Sequence, residues 1–428
     1  MNPVDEIIKA AGMHPDDVNL PLETQKFKNE MREGLACDGK SSLLMLPSYI
    51  PASGRITANK PVITIDAGGT NLRTALVTFD GHGGMDIEHF ESGRMPGVGE
   101  PVSADEFYNE IARRILPYAD ETDLVGFCFS YEFKSRPDRD GIAPPLSKEV
   151  NVTGIEGSVV GQRTESALKA LGAAGSRRYT LLNDTTAAML AGLLSAPQGS
   201  YDGFMGLILG TGLNLCCSVK TDDIRKINRA EYGADSMIIN TECGAYSGFA
   251  RGEADFEVDA AAAKPGTHLF EKMISGAYLG ELVLHTLKLI GSSGVFSRKT
   301  AEALASTRSL ELREVSGWLD GSASALDAII SPPDRENAKR AIALIYERAA
   351  KLLSAVLCAA AELADIGHCE SKPACVCTEG STYYKSALLR RLINEYNESY
   401  IAGERKRYLE FVAVENATLA GSAAAAMQ

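Results

Sequence analysis

Three short stretches of this sequence carry residue types that chemistry needs. The first is Asp66-Ala67-Gly68-Gly69-Thr70-Asn71-Leu72-Arg73. A glycine turn closing a buried strand leaves backbone N–H groups free to cradle phosphate oxygens. No Lys-Ser/Thr follows it and it leads into another strand, which excludes a Walker-type loop. An ordinary tight hairpin would carry the same glycines. Asp66 adds weight, because a strand-end carboxylate beside a phosphate turn is placed to hold Mg²⁺ through its water. The second stretch, Gly210-Thr211-Gly212-Leu213-Asn214, is of the same kind. Two such turns fit the clamping of a nucleotide's phosphates from two sides. The third is Asn183-Asp184-Thr185-Thr186, where a strand runs into a helix. Such junctions open on the crevice where α/β sheets bind ligands. Asp184 is expected to cap that helix, and capping alone would account for it.

The elements that must position these residues follow from pattern. Residues 61–66 and 72–80 read as β-branched, apolar strands on either side of the first turn. Residues 203–220 repeat the arrangement around the second. Further strands are expected over 123–131, 178–183, 373–378 and 409–414. Helices are expected over 104–119, 163–173, from 184, and over 335–366. The last is rich in Ala and Leu, but Arg340, Glu347, Arg348, Lys351 and Glu362 break it, so it is a packed helix. Residues 1–35 read as helices with charged faces, 42–51 as an extended apolar linker held by Pro47 and Pro51, and 132–150 as a charged loop. The C-terminus reads as strand, turn over 415–421, then helix. Two strand–turn–strand units, each trailed by strands and helices, predict an internally duplicated α/β protein. Two lobes with a cleft between them follow from that.

Composition narrows the function. A net charge of -13 lacks the basic footprint that nucleic acid requires and disfavours anionic membranes. The nine cysteines are scattered without disulfide spacing, which predicts free thiols in a reducing, cytoplasmic compartment. Cys375 and Cys377 alternate as in a buried strand rather than as a zinc pair. The first residues, MNPVDEIIKA, lack a secretory apolar core. No uninterrupted apolar run reaches the roughly 18 residues of a membrane span.

Longer blocks around these motifs resemble the hexokinase family. VITIDAGGTNLR is similar to that family's first phosphate motif, LLNDTTAAMLAG to its catalytic segment and LILGTGLNLCC to its second phosphate motif. INTECGAYSGF and FEKMISGAYLGELV resemble its two glutamate-bearing sugar segments, and LMLPSYI precedes the first motif as it does there. The blocks run in family order from about residue 25 to about residue 425.

The resemblance implies an actin-like, ribonuclease-H-like duplicated α/β fold with an interlobe cleft. The small lobe would comprise 52–184 plus 416–428, and the large lobe 1–51 plus 185–415. It implies ATP-dependent phosphorylation of a hexose, D-glucose first, at the 6-hydroxyl, feeding glycolysis. Asp184 would be the general base and Lys148 would help neutralise the transferring phosphoryl group. Ser130, Ser147, Lys148, Asn183, Asp184, Asn214, Glu242 and Glu271 would hold the sugar. Asp66, Gly68, Gly69, Thr70, Asn71, Arg73, Gly210, Thr211, Gly212, Gly380, Ser381 and Thr418 would hold the nucleotide, with Asp66 on Mg²⁺. The partners implied are a hexose and ATP, with no nucleic acid or membrane, in a monomer or small homo-oligomer.

Departures are local. Glu379-Gly380-Ser381 replaces the family's Asp-Gly-Ser, and Glu415-Asn416-Ala417-Thr418-Leu419 replaces its last glycine-rich motif. Ser147 stands where Thr is usual, and Glu132 replaces a Pro after Phe129-Ser130-Tyr131. The nucleoside preference and the choice among glucose, mannose, fructose and amino sugars stay open. A non-catalytic sugar sensor would have lost Asp184 or Lys148, and both are present.

Overall fold

The computed structural model describes residues 2–53, 56–80, 84–147 and 150–428. One sheet is built from β1 (Val62–Ala67), β2 (Asn71–Phe79), β3 (Met85–Arg94), β4 (Leu124–Phe129) and β5 (Arg178–Leu182). Its order is β5-β4-β1-β2-β3. The second is built from β6 (Gly203–Leu209), β7 (Leu213–Lys220), β8 (Ser236–Asn240), β9 (Ala374–Glu379) and β10 (Leu409–Val412), in the order β10-β9-β6-β7-β8. Each sheet starts with an antiparallel meander of three strands and adds two parallel strands beside the first. The expected duplication is therefore present strand for strand. Every residue of β1 and β4 is buried, as strands covered on both faces must be.

Among the helices are α1 (Pro3–Ala10), α2 (Leu20–Ala36), α3 (Ala104–Ile115), α4 (Val160–Ala170), α5 (Asp184–Ser195), α6 (Glu253–Ala261), α7 (Leu269–Ile274), α8 (Leu279–Ser292), α9 (Arg335–Ala364), α10 (Ala387–Tyr396) and α11 (Ala417–Met427). α9 packs on α2, α8, α10 and β7. Its buried Arg348 pairs with Asp255 of α6 at 2.7 Å.

α5 and α11 close the two halves and lie side by side between the sheets. Each packs on the sheet of the other half: α5 on β6, β7 and β9, α11 on β1, β4 and β5. Small residues make this crossing possible. A Cβ on Gly421 would sit 2.0 Å from the Ala187 carbonyl oxygen, which only glycine avoids. Ile50, Leu182, Met189, Leu190, Ile238 and Ala424 fill the core around the crossing.

The structure corrects three expectations. Asn183, not Asp184, caps α5: it is extended (φ -78°, ψ 159°) and its side-chain oxygen accepts from Thr185 N. Asp184 is the first helical residue. α11 begins at Ala417, so Thr418 to Gly421 are helical, and the turn is confined to Glu415 and Asn416, the latter in a left-handed conformation (φ 53°). The presumed linker contributes Leu46–Pro47 as an edge strand antiparallel to β8. Pro47 is tolerated there because an edge position needs no ladder donor on its open side.

Candidate active site

The first turn joins β1 to β2. Gly68 N donates to Asn71 O at 3.1 Å, and the Tyr131 hydroxyl donates to Gly68 O at 3.2 Å. Gly69, Thr70, Asn71 and Arg73 are exposed towards solvent. Asp66, one residue behind the turn, is buried. Its Oδ2 accepts from the Thr418 hydroxyl at 3.1 Å and faces Arg73 Nη1 at 3.5 Å. Burial pushes its pKa up against the pull of Arg73 and Thr418.

The second turn is gripped on three sides. Gly210 O accepts from Gly276 N and from the Thr382 hydroxyl, each at 2.8 Å. Leu213 N donates to Glu271 Oε2 at 3.0 Å. Gly380 crosses directly over it with φ 115°, and a Cβ there would meet Leu209 O at 2.3 Å. Ser381 opens the short helix Ser381–Lys385 that follows. The second phosphate turn, the Gly380 turn and the Glu271 segment thus form one hydrogen-bonded block.

Between the turns lies a buried amide–carboxylate network. Asn183 Oδ1 accepts from Thr185 N and the Thr185 hydroxyl, at 3.0 and 2.7 Å. The Asn214 amide reaches Asn183 Oδ1 at 3.3 Å, Asn240 Oδ1 at 2.9 Å and Glu242 Oε1 at 3.3 Å. Asn240 Nδ2 donates to Glu242 Oε1 at 2.7 Å. Glu242 holds a left-handed backbone (φ 52°), unusual for a non-glycine residue and often found at functional positions.

Electrostatics separate the two carboxyls. Asp184 is pushed up to about 6, first by burial, then by the charges of Asp66 and Glu379; Thr185 N and the Ser130 hydroxyl pull the other way. Glu242 is pushed up to about 8 by burial and next by the charge of Glu132, against donation from Asn240. A base that titrates near 6 is ionised at neutral pH and still accepts a proton readily.

The structure thus brings together Ser130, Asn183, Asp184, Asn214 and Glu242, and ties Glu271 to the second turn. Thr418, at the start of α11, meets Asp66 at the end of β1. Lys148 lies outside the described residues, and of Ser147 the structure describes the backbone, which pairs with Asn151. Sequence reasoning missed Asn240, which ends β8 two residues before Glu242 and donates to its carboxylate. It also missed Thr382, whose contact with Gly210 depends on the tertiary fold.

Among the described residues no group of three or more His, Cys, Asp or Glu could hold a metal unaided. Asp66 fits a shared role: a buried oxygen donor whose charge is costly suits a hard cation that takes its remaining ligands from phosphates and water.

Comparison with known proteins decides the family. Two family models, both described as hexokinase, match residues 4–194 and 204–428. The chain belongs to the hexokinase family. Hexokinase-1 of Schizosaccharomyces pombe is 28% identical over 360 residues, 78% of this chain and 73% of that protein. The chloroplastic hexokinase-2 of Nicotiana tabacum is 34% identical over 281 residues, 62% of this chain and 55% of that protein. Hexokinase-2 of Homo sapiens is 25% identical over 424 residues, 93% of this chain, and the match spans 45% of the human protein. The matches thus cover about half the length of the last two. Among solved structures, hexokinase from Schistosoma mansoni complexed with glucose superposes with a TM-score of 0.78 at 22% identity, over 99% of this chain and 98% of that one. A second hexokinase crystal structure gives 0.76 at 18% identity, over 99% of each chain. These likenesses bear out the two-lobed, actin-like hexokinase fold. No helix among the described residues is long and apolar enough to cross a membrane.

Proposed function

We propose that this hexokinase-family chain transfers the γ-phosphoryl group of ATP to the 6-hydroxyl of a hexose, D-glucose first, with Asp184 as general base. The observation that carries the reading is the placement of Asp184. It opens α5 beside the Asn183–Asn214–Asn240–Glu242 network, with its carboxyl raised to about 6 and the charge of Asp66 near it. The lobes divide as 52–184 plus 416–428 and 1–51 plus 185–415, a division supported by the packing of α11 on the first sheet and α5 on the second.

The sugar is a ring of hydroxyls, so its site needs acceptors and donors spaced around a ring. Asn183, Asn214, Glu242, Glu271, Ser130, Ser147 and Lys148 supply them. Asp184 takes the 6-hydroxyl proton as that oxygen forms its bond to the γ-phosphorus. The bond from that phosphorus to the bridging β–γ oxygen breaks, and ADP leaves. Backbone N–H groups of both glycine turns, with Thr70, Asn71, Arg73, Thr211, Ser381 and Thr418, hold the nucleotide, and Lys148 offsets charge on the phosphoryl group. Asp66 would hold Mg²⁺, through water, and the ion would neutralise charge on the nucleotide's phosphates. Such transfer depends chiefly on positioning and charge stabilisation, and water must be kept out while the lobes close. We place the enzyme in the cytoplasm, as a monomer or small homo-oligomer.

The test is ADP release with ATP, Mg²⁺ and a panel of hexoses. The reading expects turnover that depends on sugar, with glucose, mannose, fructose and glucosamine ranked by kcat/KM. If no hexose raises ADP release above the sugar-free rate, the reading is wrong.

A further inference from the structure

The loop after β4 carries a carboxylate that the mechanism above does not use. Glu132 follows Tyr131, which braces the first glycine turn, and precedes Phe133, which is buried against Phe129 with ring centroids 6.1 Å apart. Anchoring Phe133 inward leaves Glu132 facing the cleft. There its Oε1 lies 3.2 Å from His268 Nε2. His268 belongs to the other half of the chain. It sits in a left-handed conformation (φ 50°) at the start of α7, three residues before Glu271, and its carbonyl accepts from Lys272 N at 3.1 Å. The contact therefore joins the loop that follows Ser130 to the helix that presents Glu271.

The same carboxylate acts on the sugar network. After burial, the charge of Glu132 is the largest influence raising Glu242, while His268 acts in the opposite sense. The groups facing Glu242 are Glu132 from this loop, Asp184 from α5, His268 from α7, Asn240 and Asn214 from β8 and β7, and the adjacent Cys243. Phe133 and Ser135 of the loop share a cavity wall with Asn183, Thr186 and Asn240. A loop joined to both sides of the site can close it, and a carboxylate beside Glu242 can tune it.

We propose that Glu132 and His268 form a positioning pair that closes the sugar site across the cleft and places a carboxylate beside Glu242. The inference deepens the hexose-kinase reading and rests on it for its kinetic consequences. A buried Glu242 must be ionised to accept hydrogen bonds from two sugar hydroxyls. A negative charge beside it delays that ionisation, and a paired imidazole relieves the delay. Removing His268 thus loosens the loop and takes the imidazole away from Glu132, while removing the charge of Glu132 alone eases ionisation.

The test combines sugar kinetics with hydrogen exchange on the full chain. His268→Ala and Glu132→Ala should each raise the hexose KM about 5- to 10-fold, the size expected for one charge-assisted hydrogen bond, with kcat within about twofold. The double variant should be no more than about twofold worse than the worse single, because both changes remove one contact. His268→Gln, which keeps a donor, should recover most of the loss. Glu132→Gln should keep the contact but move the acid limb of kcat/KM to lower pH by about 0.5–1 unit. Additive KM effects, or an acid limb unmoved in Glu132→Gln, would overturn the proposal. In the sugar-free protein, His268→Ala should speed amide exchange over 131–135 and Glu132→Ala over 268–274. Unchanged exchange in both would overturn it even if the wild type phosphorylates no hexose, an outcome that would separately defeat the kinase reading.

Discussion

The two glycine turns come from equivalent places in a duplicated chain, yet their surroundings differ. The first, after β1, is open: Gly69, Thr70, Asn71 and Arg73 are exposed, and among the described residues the side chains that donate to carbonyls here are Tyr131, to Gly68 O, and Arg114, to Leu72 O. Its strength lies in charge, through Asp66 and Arg73. The second, after β6, is closed: Gly276, Thr382 and Glu271 take up its backbone groups and Gly380 lies across it. Duplication supplied two phosphate-type turns, and divergence split the work. In the proposed reaction the first would present charge to the transferring group, while the second ties the Gly380 turn and the Glu271 segment into one hydrogen-bonded block.

The largest expected effect breaks the closed turn. Gly380→Ala would place a Cβ 2.3 Å from Leu209 O at φ 115°, so it should cost about 2–4 kcal/mol of stability and most of the activity. Gly68→Ala in the open turn meets nothing nearer than 3.5 Å and should cost about 1 kcal/mol or less. Thermal melting of the two variants checks the contrast; equal losses would erase it. Next is pH. Both Asp184, at about 6, and Glu242, at about 8, must lose a proton to work, so kcat/KM should rise with pH through this window. The sugar-free protein should behave oppositely. A carboxyl raised in the folded state binds its proton more tightly there than when unfolded, so stability is lost as pH rises from about 4.5 towards about 8. Glu242→Gln should flatten that fall, by a few degrees in melting temperature between pH 5 and 8.5. The smallest effect is Thr382→Val, which removes one brace of Gly210 and should raise the ATP KM about 3- to 10-fold while leaving the sugar KM unchanged.

The sequence displays what local rules dictate. Buried strands read as apolar runs, so β1, β6 and β9 were visible, as was the burial of Cys375 and Cys377. The glycine turns were visible because few other residues fit there. What stayed hidden depends on partners distant in the chain. Asn183 and Asp184 are both good caps, and the extended backbone at the end of β5 chooses Asn183. Asp184 follows as the first helical residue, and its Oδ1 also accepts from Thr185 N at 2.8 Å. The start of α11 at Ala417 is fixed by packing on β4 and α5, which no local signal reports. Glu132 and His268 each look like surface residues until the fold brings them within 3.2 Å of each other. The site roles themselves came from the order of whole blocks, since each residue alone has a plainer explanation.

The central claim is that Asp184 takes the sugar proton. Asp184→Asn keeps the size and polarity of the side chain and removes the base. Glucose affinity by titration calorimetry and turnover by ADP release should therefore separate. The account predicts glucose binding within about threefold of wild type and kcat lower by about 10²–10⁴-fold, or roughly 3–5 kcal/mol. Turnover within tenfold of wild type, with glucose still bound, would contradict it.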